Sequence, residues 1–166
     1  MQIMDRHLTV SGFVVHEGRL ALHWHRKLQM WLPAGGHIEA GEDPVEAALR
    51  EISEEFALEA EVLPLAPRVE YAGGPRQIQP PFTILNCVVS DDHEHVDHVY
   101  FCRVLSGYPG VSHDPENPIL WFDADTLAAG AAPLNDANVP FPPDVQALGI
   151  EAIRLASRVE AASGHR

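Results

Sequence analysis

A loop and helix between residues 36 and 58 constrain this chain more than any other stretch of the sequence. Asp43 followed by Pro44 predicts the start of a helix, because an aspartate caps free backbone N–H groups and proline suits the first helical turn. Apolar residues then recur every three or four positions, at Val45, Leu49, Ile52 and Phe56. This spacing predicts one apolar stripe that faces a core.

The same helix carries a second, acidic face. Glu51, Glu54 and Glu55 are related by spacings of three and four residues, so we expect their carboxylates to converge. Arg50, four residues before Glu54, offsets only part of this like charge. Two partners remain for the carboxylates: solvent, as on most acidic helix faces, or a hard divalent cation, which prefers oxygen ligands.

These residues also fit a longer pattern. Gly36 is followed by five residues, Glu42, seven residues, and then an unbroken run from Arg50 to Leu58. The pattern resembles the Nudix hydrolase box, Gly-x5-Glu-x7-Arg-Glu-U-x-Glu-Glu-x-Gly-U, in which U is a bulky aliphatic residue. Every fixed position agrees except the last glycine, which is Ala57 in this chain. A left-handed residue is often needed near a helix end, so alanine either carries strain there or the helix ends differently.

The resemblance implies an activity. Nudix hydrolases cleave a diphosphate linkage in a nucleoside diphosphate joined to a further group X, with Mg²⁺ or Mn²⁺. By resemblance, Glu54 and Glu55 are the main metal ligands and Glu51 either binds metal or orients the attacking water. Arg50 is expected to position the glutamates, and Glu42 to steady the loop.

Two further metal contacts follow from the same resemblance. The backbone carbonyl of the first box glycine, here Gly36, is often a ligand in the family. A glutamate in a loop before the last tryptophan-containing strand often joins the site, and Glu116 occupies a comparable position. The alternative for Glu116 is an ordinary loop residue. Which carboxylate acts as the base stays open.

Other segments suggest substrate contacts or metal binding. Arg26 and Lys27 form a small basic cluster just before the box, which predicts either phosphate contacts or a solvated loop. His93, His95 and His98 lie close together, but on a strand only His93 and His95 would share a face. We therefore interpret this segment as a polar turn that leads into a strand rather than as a zinc cluster.

The remaining periodicity predicts strands at residues 8–15, 19–25, 30–36, 58–65, 67–71, 82–89, 96–105 and 119–122. Residues 130–143 are predicted to be irregular, and residues 144–162 to form a helix with a stripe of Leu148, Ala152, Leu155 and Val159. The order of elements predicts a single domain over residues 1–166, an α/β/α sandwich with a mixed sheet and helices on its faces. The Nudix fold, implied by the box, is of this kind.

Charge limits the classes of partner. The formal net charge is −13, which argues against an extended nucleic acid or an anionic membrane as the ligand. A small nucleotide or diphosphate substrate remains compatible if cations stand between it and the protein. Cys87 and Cys102 do not form a disulfide framework, and no stretch resembles a membrane span or signal. We therefore expect a cytoplasmic protein, of open oligomeric state.

Two other functions are compatible with this fold. A Nudix-fold module can sense a nucleotide without turnover, although such proteins usually lose box carboxylates. An isopentenyl diphosphate isomerase shares the fold but needs a catalytic cysteine and glutamate pair, for which Cys87 is the candidate. The intact set of box carboxylates favours hydrolysis over both.

Overall fold

The computed structural model describes residues 4–107 and 117–163. Within these ranges lie ten strands: β1 (Asp5–His16), β2 (Arg19–His25), β3 (Met30–Leu32), β4 (Ala34–His37), β5 (Glu59–Val62), β6 (Thr83–Ser90), β7 (His93–Ser106), β8 (Ile119–Asp123), β9 (Ala131–Leu134) and β10 (Ala137–Pro140). The helices are α1 (Pro44–Phe56), α2 (Ala124–Ala129) and α3 (Pro143–Ser163). In the described part of the chain, none of the helices has the length and apolar character needed to cross a membrane.

Strands β1 to β8 form one mixed sheet, and β9 and β10 form a separate hairpin. The long central pair, β1 and β7, runs parallel in unbroken register from Asp5 opposite His93 to Val15 opposite Arg103. On its other edge β1 pairs β2 only near Val15, and β4 takes over that edge farther along. Strands β3 and β8 pair with β2 instead. The sheet therefore splits between β2 and β4, and the candidate site lies at this split.

Each face of the sheet has its own buried core. On one face, Phe13 of β1 and Phe101 of β7 pack with α2, α3 and the small hairpin. On the other face, Val10 and Tyr100 pack with Ile52 of α1 and neighbouring residues. Alternation along the strands produces this division, since successive side chains point to opposite faces. The predicted sandwich of helices around a mixed sheet is therefore confirmed.

The boundaries of α1 agree with the local sequence signals. The Asp43 side chain accepts hydrogen bonds from the backbone N–H groups of Val45 and Glu46, and the Glu46 side chain accepts one from the backbone N–H of Asp43. This is a capping box, which satisfies N–H groups that the helix itself cannot. The helix ends at Ala57, which adopts φ 54° and ψ 36°, a left-handed conformation. The alanine thus occupies the conformation that the missing glycine would favour.

Several sequence-based strand assignments were wrong. Residues 67–71 are not a strand, and residues 131–140, expected to be irregular, contain the β9–β10 hairpin. The histidine segment interpreted as a polar turn already belongs to a strand, because β7 begins at His93. The predicted short strand at residues 30–36 is divided at Pro33 into β3, which pairs β2, and β4, which pairs β1.

The buried face of α3 is also rotated from the predicted stripe. It consists of Val145, Gly149, Ala152, Ile153 and Ala156. Leu155 is only half-buried. A Cβ added at Gly149 would lie 2.6 Å from Leu20 Cδ2, so small residues let this helix approach the sheet closely.

We predict that Ala57→Gly stabilises the protein by about 1 kcal/mol, because a left-handed alanine carries a Cβ clash that glycine lacks. A rise in melting temperature would test this. Ala147→Gly is the matched control: Ala147 is exposed within α3, and glycine there should cost about 1 kcal/mol. A loss of stability in both variants would contradict the strained helix end.

We further predict that Ile153→Ala lowers the free energy of unfolding by about 2–5 kcal/mol, because it truncates a buried side chain. Ile153 is 7% exposed. Leu155→Ala, on the half-buried flank, should cost clearly less. Chemical denaturation of both variants measures the two losses in free energy of unfolding. An equal or larger loss for Leu155→Ala would support the stripe predicted from the sequence instead.

Candidate active site

The glycines of β4 bring its backbone against the acidic face of α1. The Gly35 N–H donates to Glu55 Oε2 at 3.0 Å. A Cβ at Gly36 would lie 2.3 Å from Glu51 Oε1, a distance that no real side chain tolerates. Any residue other than glycine at position 36 would therefore displace the Glu51 carboxylate from the strand.

Arg50 connects the loop that precedes α1 to the helix itself. Its Nε and Nη2 donate to the two oxygens of Glu42, at 2.7 and 3.1 Å. Its Nη1 donates to Glu51 at 2.8 Å and to Glu54 at 3.1 Å. Its Nη2 also reaches the His37 carbonyl at 3.1 Å. The Glu42 carboxylate in turn accepts from the Glu39 N–H, so one guanidinium holds loop, strand and helix together.

The three helix carboxylates have different hydrogen-bond partners. Arg50 holds Glu51 and Glu54, whereas Glu55 turns toward Gly35 and the sheet. Burial is the main cause that raises the pKa of Glu55 to about 7; the charges of Glu51 and Glu54 act in the same direction, and the hydrogen bond from the Gly35 N–H acts against them. The ionised form of Glu55 is thus disfavoured, because no positively charged side chain of residues 4–107 or 117–163 offsets these effects.

This donor set fits a hard divalent cation. Three carboxylates and the Gly36 carbonyl are oxygen ligands of the kind that Mg²⁺ and Mn²⁺ take. A cation near Glu55 would also offset the burial and the like charges that keep its pKa high. Glu116, the fifth ligand implied by the family resemblance, lies outside the described residues.

Glu55 lies between two cavities. One has a volume of about 410 Å³ and lies between the sheet and α3. Its apolar lining includes Phe13, Leu85 and Leu148, and Asp97 adds a carboxylate. The second cavity, of about 670 Å³, is lined by residues that include Arg26, Lys27 and Asn117. The basic pair predicted from the sequence therefore borders the same carboxylate as the apolar cavity.

His23 and Asp97 line the same cavity as Glu55, and nothing in the sequence pattern singled them out. His23 Nε2 lies 3.9 Å from Glu55 Oε2. Burial, together with the neighbouring His25, lowers the pKa of His23 to about 4, against the opposing effect of a bond to the Pro33 backbone. Asp97 is 9% exposed and accepts a hydrogen bond from Thr9 Oγ1 at 2.8 Å. Their positions depend on strand pairing, which periodicity alone does not predict.

Comparisons with known proteins bear on the fold as a whole. The NUDIX domain family model matches residues 5–144. A solved hydrolase of the NUDIX family from Clostridium perfringens is 27% identical, with a TM-score of 0.72 over 92% of this chain and 99% of the other. A MutT NUDIX hydrolase from Burkholderia pseudomallei is 18% identical, with a TM-score of 0.58 over 89% and 98% of the two chains. No curated protein matches the sequence significantly.

We predict that Gly36→Ala lowers Mg²⁺-induced stabilisation while leaving the melting temperature without metal nearly unchanged. The three atoms nearest to the added Cβ all belong to the Glu51 carboxylate, the far end of a side chain that can rotate away and leave the backbone in place. Gly35→Ala is the matched comparison, because its Cβ would lie 2.5 Å from the Val10 carbonyl oxygen and must shift backbone. Thermal melts with and without Mg²⁺ decide. An equal loss of metal-free stability in both variants would show that Gly36 matters for packing alone.

Proposed function

The chain belongs to the Nudix family, and from this premise we propose that it is a metal-dependent hydrolase of a nucleoside diphosphate linked to a group X. The proposed reaction breaks a diphosphate linkage, with Mg²⁺ or Mn²⁺ as the cofactor. The observation that carries the proposal is the position of Glu55. This carboxylate belongs to the family's box and lies between an apolar cavity and a basic one.

The metal would be held by the glutamates of α1 and by the strand that faces them. Glu51, Glu54 and Glu55 supply the carboxylates, and Gly36 supplies a carbonyl. When bound, divalent ions neutralise diphosphate charge and lower the pKa of a coordinated water. One of these carboxylates would act as the base that takes a proton from the water.

Arg50 and Glu42 act as positioning residues. Arg50 holds Glu51 and Glu54 at their present spacing through one guanidinium. Its two bonds to Glu42 fix the loop against the helix, which keeps β4 and the Gly36 carbonyl in place. Because the Arg50 side chain is only 22% exposed, water competes weakly for these bonds.

The two cavities supply complementary parts of a substrate site. The apolar cavity, at about 410 Å³, falls within the range of roughly 300–1,000 Å³ typical of small-ligand sites. It suits the nucleoside, with Asp97 available to a base edge or a sugar hydroxyl. Arg26 and Lys27, beside Glu55 in the second cavity, suit the phosphates. The scissile linkage would then lie at Glu55.

A panel of substrates tests the proposal. Nucleoside triphosphates, nucleoside diphosphates, diphosphate sugars and dinucleoside polyphosphates would be incubated with Mg²⁺ and separately with Mn²⁺. Phosphate and nucleotide products would be resolved by chromatography. Turnover of at least one class supports a hydrolase. Tight binding of a nucleotide without turnover would instead support the alternative, a nucleotide-sensing module.

We predict that Glu55→Gln lowers kcat on the order of 10²-fold or more, because it weakens a metal contact where charge develops in the transition state. The melting temperature without metal should hold or rise, since one buried like charge disappears. Its increase on adding Mg²⁺ should shrink. Glu160→Gln, an exposed substitution of the same chemistry on α3, is the matched control. Full activity of Glu55→Gln at low Mg²⁺ would refute the role of this helix.

A further inference from the structure

Four histidines and an aspartate gather where β1 and β7 begin and β4 ends, and two of them, His37 and His95, also line the cavity that Glu55 borders. His7 lies on β1, His37 on β4, and His93 and His95 on β7. The parallel register places Asp5 opposite His93 and His7 opposite His95. His37 lies on the same face of the sheet as His7, because it is paired with Thr9, two residues along β1. Three strands thus contribute to one cluster.

The ligand atoms of this cluster are close enough to share an ion. One nitrogen from each of His7, His93 and His95 lies within 4.8 Å of the other two. His7 Nδ1 also lies 3.0 Å from His37 Nε2. Two nitrogens bound to one tetrahedral zinc ion lie roughly 3.3 Å apart, from Zn–N bonds of about 2.0 Å. The rings therefore need only small side-chain adjustments.

Asp5 completes the arrangement. Its Oδ2 lies 3.3 Å from His7 Nε2 and 3.4 Å from His93 Nδ1. A carboxylate in this position orients both rings, as in the carboxylate–histidine–zinc arrangements of metalloproteins. The His7 side chain is 41% exposed, so an ion can enter from solvent.

From this juxtaposition we propose that His7, His93 and His95, with His37 as the fourth ligand, bind one divalent transition-metal ion of the zinc class. All four donors are imidazoles, which suit Zn²⁺, Ni²⁺ and Cu²⁺ rather than the hard Mg²⁺. The site is thus chemically distinct from the oxygen donors of α1. A bound ion joins β1, β4 and β7, and β4 is the strand that carries Gly35 and Gly36. The proposal does not depend on the hydrolase assignment.

The test is a zinc titration of the full chain by calorimetry, after chelator dialysis and with Mg²⁺ at saturation to occupy oxygen sites. We expect one Zn²⁺ per chain and a rise in melting temperature. His7→Ala combined with His95→Ala should weaken binding by roughly 100-fold or more, since loss of even an outer partner costs 10–100-fold. His16→Asn, a β1 histidine outside the cluster, and Glu55→Gln should bind as the unaltered chain does.

Cobalt spectroscopy and a second variant test the geometry of the site and guard against misfolding of the double variant. Co²⁺ in place of Zn²⁺ should give the intense visible bands of a tetrahedral site in the unaltered chain and lose them in the double variant. If the double variant fails to fold, Asp5→Asn replaces it, with an expected loss of 10–100-fold in zinc affinity. The proposal would be overturned if zinc binding were unchanged in the double variant or in Asp5→Asn. It would also be overturned if the unaltered chain did not bind zinc, or if only Glu55→Gln lost binding.

Discussion

The geometry of the candidate site depends on the guanidinium of Arg50. It donates to Glu42 and His37 on the loop side and to Glu51 and Glu54 on the helix side. A planar group with five N–H donors can satisfy carboxylates in several directions at once, which a lysine cannot do. Without it, the half-buried carboxylates of Glu42 and Glu51 would lose their main positive partner, so loop and helix would separate.

Close approach of backbone to helix is the second requirement, and small residues provide it. A Cβ at Gly12 would lie 2.7 Å from Ile52 Cδ1, and one at Gly36 would lie 2.3 Å from Glu51 Oε1. These glycines let α1 lie directly on β1 and β4. Because the sheet divides beside β4, Glu55 can reach from the helix side to the cavity on the opposite face. Packing distance and topology thus place one carboxylate between two cavities.

Residue patterns within a few positions of one another were sufficient to predict α1, its cap at Asp43 and an unusual helix end at Ala57. Contacts between distant segments were not predictable in this way. The predicted stripe on α3 followed the large apolar residues, but close packing buries Gly149 and small neighbours instead. His7 and His93 likewise share a cluster because β1 and β7 pair in parallel, a register that spacing along the chain does not encode. The histidine cluster could therefore be recognised only once the pairing of the strands was known.

The net charge of −13 and an anionic substrate are compatible once distance is considered. At physiological ionic strength, interactions between exposed charges are largely screened beyond about 8 Å. The acidic surface therefore slows the approach of an anion more than it weakens contacts inside the site. There, Arg26 and Lys27 border the cavity shared with Glu55, and a bound cation would offset the repulsion between the carboxylates of α1 and a phosphate. A strongly acidic helix face is thus an argument for a metal-dependent reaction, because the same anions that exclude the free substrate are the ligands through which a metal complex would be accepted.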